Sequence, residues 1–434
     1  MKIMKRQLTL TSALATVMGT VIGGGAFFKI ATITALTHST SLTLFVWLLA
    51  GIIAITAGLC IAELAAAFPE NGGPVKYLQE IYGSKISFLF GWSLIIIYYP
   101  ANIAALAIVF ATQAINLLNL PLANPIPLAI LTTLSILLIN WLGTRFSGWV
   151  QKLTLIVKLL PIFILIIASL VDTHPVQVHL WPLTNGTHTS FISALSQALL
   201  ATLFAYDGWL SIGNLAGELK NPAKNLTRAI IGGLVAITII YLLLNLSFLR
   251  TLPLNQIIGN QNTAFLTAQK LLGNSGGKIL TLGILISVYG AINGHCITGS
   301  RMPYAMGANQ QLPKAQFFAK LSPITKMPTN SLLFEGIIAI IMIFSGTFDS
   351  LTDMLVYISW IFSILLFIGV FKLRKNKPDL LRPYKTFGYP LTPILAILGG
   401  LFIIITTTIT KPSLAIIGIL LTLSGLPIYY WQNK

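Results

Sequence analysis

Three consecutive glycines, Gly23, Gly24 and Gly25, interrupt the apolar run around TVIGGGAFF (20–28), and Gly19 lies a turn upstream. Each glycine weakens a helix by roughly 1 kcal/mol relative to alanine, and the missing Cβ lets a ligand approach the backbone closely. A second interruption, FAYDGWLSIGN (204–214), sets Asp207 and Gly208 in otherwise apolar surroundings. A helix broken in this way frees N–H groups that can hold an anion and carbonyls that can hold a cation. The half-helix that follows directs its positive dipole end at the anion. Lys158, in LIVKLLPIF, adds an ammonium to a further apolar stretch. A lysine at the centre of a spanning helix costs about 2.5–3.5 kcal/mol on insertion scales, so it is read as functional by default.

These residues must be positioned by membrane helices. The chain has 434 residues, of which 55% are hydrophobic and 9% charged, and its mean hydropathy is +0.84. Soluble domains carry about 25% charged residues. Twelve apolar stretches recur, at 8–36, 42–68, 86–118, 126–143, 150–171, 190–216, 228–249, 277–300, 330–346, 351–371, 389–409 and 413–431. Each is close to or above the roughly 17–25 residues that a spanning helix needs. Lys2, Lys5 and Arg6 precede the first stretch in the manner of a signal peptide, but its length and the later spans argue against one. The sequence therefore reads as an all-α polytopic membrane protein, one transmembrane domain of 12 helices over 1–434.

The net charge of +17 follows the same topology. With both termini on one side, that side carries nearly all the Lys and Arg, and the other carries only Arg250, Lys270, Lys278 and Lys411. The positive-inside rule then puts both termini in the cytoplasm and the loops 172–189 and 250–276 outside. The basic charge is topological and signals no nucleic acid. Cys60 and Cys296 fall within spans, His38, His174, His179 and His188 fall in outer loops, and His295 stands alone in span eight. No metal or other cofactor is read from them. With no HExxH, no GxSxG and no paired intramembrane carboxylate read, the chain is expected not to be an enzyme.

The two interruptions lie five spans apart, in helices that run oppositely through the membrane. Broken helices at corresponding positions of two inverted halves point to a transporter's binding site, whereas isolated glycines serve equally as close helix contacts.

At these residues the chain resembles the amino acid–polyamine–organocation superfamily. GTVIGGGAFF is similar to its GxxIGxGIF signature, and AELAAAFPENGGPVKYLQEIYG (62–83) to its AExxxxxPxSGGxYxYLxxxYG segment. FAYDGWLSIGNLAGELKNPAKNL (204–226), YGAINGHCITGSR (289–301) and RPYKTFGYPLTPIL (382–395) resemble the L-type amino-acid transporter branch, in motif nearest to bacterial serine/threonine exchangers. The resemblance implies a LeuT-type fold with 8–171 and 190–371 as 5+5 inverted repeats, discontinuous helices 1 and 6, and two peripheral helices in 389–431. It further implies amino-acid exchange by alternating access in the cell membrane. Gly24, Ala26 and Asn71 depart from the family's usual Ser, larger aliphatic and Ser. Animal members bond to a single-span subunit through a cysteine between spans three and four. Residues 118–126 contain none, so no disulfide-linked heavy subunit is expected.

An α-amino acid offers a carboxylate and an ammonium whatever its side chain. The freed N–H groups of Gly23, Gly24 and Gly25 are expected to hold the carboxylate. Carbonyls near Val21 and Ile22, and near Phe204, Ala205 and Asp207, are expected to accept from the ammonium. Lys158 is read as a substitute for the cation of sodium-coupled relatives, bridging the span-one break and span eight. A proton-coupled role and snorkelling of the stem remain open. Asp207 either faces the substrate's side chain or caps its own broken helix, with the local role favoured. Phe204 and Trp209 are candidate aromatic gates or ordinary packing, and Asn293 is a cavity residue or a helix–helix contact. Glu218 and Lys220 read as loop ties, and Lys29 as reaching the outer vestibule. The expected function is sodium-independent exchange of small neutral amino acids; a proton-coupled symporter and an exchanger of cationic amino acids are the alternatives.

Overall fold

The computed structural model describes residues 9–69, 72–118, 120, 124–208, 219–325 and 327–432. Its first helices are α1 (Leu10–Val21), α2 (Gly25–Thr37), α3 (Thr40–Ala67), α4 (Gly73–Tyr82) and α5 (Ser84–Ser93). A π-helical turn, Leu94–Tyr98, joins α5 to α6 (Tyr99–Leu117), and α7 (Pro125–Trp141), α8 (Thr144–Leu170) and α9 (Phe191–Ala205) follow. Next come α10 (Pro222–Thr251), α11 (Leu254–Ile257), α12 (Thr263–Gly299), α13 (Arg301–Ala308) and α14 (Ala315–Phe318). The chain continues through α15 (Thr329–Ser345), α16 (Phe348–Asn376), α17 (Leu391–Thr410), α18 (Pro412–Leu423) and α19 (Gly425–Gln432).

Local chemistry sets many of these ends. Ser39, Asn124, Ser190 and Thr347 cap α3, α7, α9 and α16 with side-chain oxygens that accept from first-turn N–H groups. Proline opens α7, α10 and α18, where the missing N–H has no helical partner to lose. Among the described residues, seven helical segments are long and apolar enough to cross a membrane, eight when the bent pair α1–α2 counts as one span. Four shorter apolar segments, in α7, α8, α9 and α15, accompany them. The described parts of the apolar stretches read from the sequence fall on one or more of these helices, and 209–216 of the sixth stretch lie outside the described residues. Large aliphatic side chains point outward at Leu131, Ile279 and Ile409, as lipid contact requires.

The interior is built around the broken elements. Helix α1 packs on α10, α2 on α9, and α3 on both α9 and α10. Helix α12 packs on α6 and α8. Helix α16 is pinned at both ends. Near its start, Lys29 of α2 donates to Asp349 at 2.7 Å. Near its finish, Arg374 holds Glu63 of α3 with two bonds, Nε to Oε1 at 2.9 Å and Nη2 to Oε2 at 2.7 Å. Thr386 adds its N–H and hydroxyl to Glu63 Oε2, both at 2.7 Å.

Candidate functional site

The two interruptions meet in space. Helices α1 and α2 are bent by 40° across residues 22–24. The α2 ladder begins with Ala26, whose N–H reaches Gly23 O at 3.3 Å, and Phe28, whose N–H reaches Gly24 O at 3.1 Å. The N–H groups of Gly23, Gly24 and Gly25 take no backbone partner among the described residues. Helix α9 ends at Ala205, and Gly208 follows with φ 103°, a left-handed conformation that a side chain would strain. A Cβ at Gly25 would stand 2.8 Å from Ala205 Cα, and one at Gly208 2.9 Å from Thr20 O. Close approach between the breaks thus demands glycine on each side. Tyr241 of α10 ties them together, its hydroxyl bonding to Val21 O at 3.1 Å and Ala205 O at 2.9 Å.

Lys158 serves the first break. It is 5% exposed, and its ammonium donates to Gly19 O and, at 2.9 Å, to Ile22 O. These acceptors are helix-end carbonyls that would otherwise lack a donor in a dry interior. The snorkelling alternative does not describe this geometry, since the ammonium turns inward. No hydrogen bond from Lys158 to α12 is seen among the described residues, though His295 of that helix is an electrostatic neighbour. Val21 O, Ile22 O and Ala205 O all have internal partners in this conformation. A carbonyl has two lone pairs, so each retains capacity for a second donor.

Asp207 sits at the mouth of the second break. Its Oδ2 accepts from the Tyr98 hydroxyl at 2.5 Å. The carboxylate thus has a cross-helix partner that sequence spacing could not show. Two adjoining cavities, with ≈ 440 Å³ and ≈ 340 Å³ of empty space, share Asp207 and Ser359 in their walls. The larger extends past Tyr98 and Tyr99 to Gly72 and Met302, beside the basic connections 69–85 and 301–326. At the opposite end, Phe204 meets Phe348 edge to face, with ring centroids 5.6 Å apart. The Lys29 ammonium lies 5.4 Å from the Phe204 ring and 4.6 Å from that of Phe348.

Lys29 corrects the sequence reading. It is fully buried, its ammonium held by α16 side chains rather than open to an outer vestibule. Besides Asp349 it donates to Thr352 Oγ1 at 2.7 Å, and it lies 4.0 Å from Asp353, whose other oxygen binds Lys411 at 2.6 Å. Asn293 accepts from Asn140 Nδ2 of α7 at 2.9 Å. Its place is the helix–helix contact, one of the two alternatives weighed for it. Trp209 and Glu218 lie outside the described residues, as does Asn71.

Tyr98, Tyr241, Asp349 and Glu335 were not singled out from the sequence. The tyrosines gave no signal, because an aromatic in an apolar span is ordinary. Glu335 did, being the one carboxylate in the stretch 330–346. It is 1% exposed, neither oxygen has a hydrogen-bond partner among the described residues, and it packs against Gly299 of α12.

The first break, the end of α9 beside it and the buried Lys158 on its carbonyls lie within an apolar, membrane-type helical chain, and comparison with known proteins gives its family. The chain belongs to the amino acid permease family, whose model matches residues 8–430. It is 37% identical to the serine/threonine exchanger SteT of Bacillus subtilis (strain 168), over 99% of this chain and 98% of the relative. It is 30% identical to b(0,+)-type amino acid transporter 1 of Mus musculus, over 98% of this chain and 88% of the relative. The human large neutral amino acids transporter small subunit 2 is 28% identical, over 99% of this chain and 82% of that protein.

Proposed function

We propose that this protein is a sodium-independent exchanger of small neutral L-amino acids, with serine, threonine and alanine as its substrates. The observation that carries the reading is the meeting of the two helix breaks. Gly23, Gly24 and Gly25 offer N–H groups without backbone partners, and Lys158 fixes the carbonyls behind them. Such a site reads the carboxylate common to all α-amino acids. The full-length similarity to a serine/threonine exchanger supports the neutral class. On this reading the chain has twelve spans in a LeuT-type 5+5 arrangement in the plasma membrane, with the four shorter apolar helical segments taken as spans beside the eight. The cationic alternative rests on Asp207 at the cavity wall, and the Tyr98 hydroxyl on its Oδ2 argues against it.

Alternating access follows from the two ends of the site. The Lys29–Asp349 pair and the Phe204–Phe348 contact seal the outer end, while the larger cavity runs toward the basic connections. The chain works without a disulfide-linked subunit on this reading, since Cys60 and Cys296 are both buried. Purified protein in liposomes preloaded with L-serine is expected to take up labelled serine saturably and faster than empty liposomes, equally in sodium and choline buffers. A flux that neither saturates nor responds to preloading would instead indicate a channel.

Topology has its own test. His188 is exposed in the loop 172–189 and both native cysteines are buried. His188→Cys is therefore expected to react with an impermeant maleimide applied to intact cells. Labelling from the cytoplasmic side alone would overturn the assignment of the termini to the cytoplasm.

A further inference from the structure

We propose that Tyr98 is a specificity-determining residue, whose hydroxyl occupies the Asp207 carboxylate and so excludes cationic side chains from the site. This rests on the amino-acid exchange proposed above and names what sets its substrate class. Three observations carry it. The hydroxyl lies 2.5 Å from Asp207 Oδ2. Both residues line the larger cavity, so the bond sits where a substrate side chain would lie. The position of Tyr98 is also fixed without substrate.

The fixing is local. Tyr98 ends the π-helical turn Leu94–Tyr98, and such turns rotate the residues they carry away from regular helix register. Its carbonyl accepts from Asn102 Nδ2 at 3.0 Å. Its ring stands edge-on to Tyr99, at 5.1 Å between centroids and 88° between planes. The phenol is thereby aimed by its own helix.

A guanidinium binds a carboxylate best through both oxygens at once, in two parallel N–H···O bonds. With Oδ2 already accepting from Tyr98, an arginine substrate must compete with the phenol for one of the two oxygens its fork needs. An ammonium from lysine loses one of its acceptors. A serine, threonine or alanine side chain needs no carboxylate and is unaffected.

The test compares wild type, Tyr98→Phe, Asp207→Asn and the double variant in exchange of labelled L-serine, with L-arginine, L-lysine or L-alanine as competitor. Tyr98→Phe should raise the potency of arginine relative to alanine by ~tenfold or more, as release of a two-oxygen face predicts. The double variant should lose that gain. An unchanged arginine-to-alanine ratio in an active Tyr98→Phe protein, or a gain that survives in the double variant, would overturn the proposal. So would a wild type that already prefers arginine. Tyr98→Leu, which also removes the hydroxyl, serves if the phenylalanine variant does not fold and must give the same gain. Should the wild type exchange none of the three neutral amino acids, the proposed function fails. Thermal stabilisation of the detergent-purified proteins by L-arginine then decides the Tyr98 claim alone. Greater stabilisation of Tyr98→Phe than of wild type supports it, and equal stabilisation overturns it.

Discussion

Replacing Lys158 with alanine is expected to lower serine exchange by on the order of a hundredfold, while the protein still inserts and purifies. The ammonium is the donor seen on Gly19 O and Ile22 O, the carbonyls that the first break exposes. Removing it leaves the buried Ile22 O without a donor, at about 1–3 kcal/mol, and takes this donor from the part-buried Gly19 O as well. Each 1.4 kcal/mol is about a factor of ten. The break would then rewind or shift to recover its bonds, and the Gly23–Gly25 N–H groups would lose their aim. Arginine is no remedy, because its planar fork is wider than an ammonium and cannot deprotonate. Size-exclusion profiles of the variant separate a transport defect from misfolding. Wild-type turnover in Lys158→Ala, or strict sodium dependence of the native protein, would end the role of Lys158 as a cation substitute.

That Lys158 and the two breaks could be found without coordinates has a simple physical basis. A charge or a run of glycines inside an apolar stretch conflicts with the demands of the bilayer, and the conflict is visible in one dimension. Their partners are not. Lys29 meets Asp349 across 320 residues of sequence, and Tyr98 meets Asp207 across 109. Neither pairing follows from helical periodicity, which specifies a face and not its neighbour. Asn293 illustrates the reverse case: a polar residue in span eight is visible, but its bond to Asn140 of α7 is a matter of tertiary packing. Glu335 differs again. Its isolation in an apolar stretch carries the same signal as Lys158, and only its surroundings, with no partner on either oxygen, required the fold.

The glycines of the first break are expected to separate into two kinds when each is given a methyl group. At Gly25 the added Cβ would stand 2.8 Å from Ala205 Cα and 3.0 Å from Ala205 Cβ. Backbone cannot swing aside as a flexible side chain can, so α2 and α9 must part. Overpacking of this kind costs about 1–3 kcal/mol, enough to lower the melting temperature of detergent-purified Gly25→Ala. Exchange should fall with it, because the second break is held by the same contact and by Tyr241. At Gly23 the nearest atoms lie 3.9 Å from the added Cβ, ordinary contact distance. Gly23→Ala should therefore melt within about 0.5 kcal/mol of wild type. Its methyl group nonetheless stands beside an N–H proposed to receive the substrate carboxylate, so KM for serine is expected to rise roughly tenfold. A wild-type KM in Gly23→Ala would move the carboxylate away from that N–H. A wild-type melting temperature in Gly25→Ala would mean that the breaks do not touch as described, and the shared site would lose its frame.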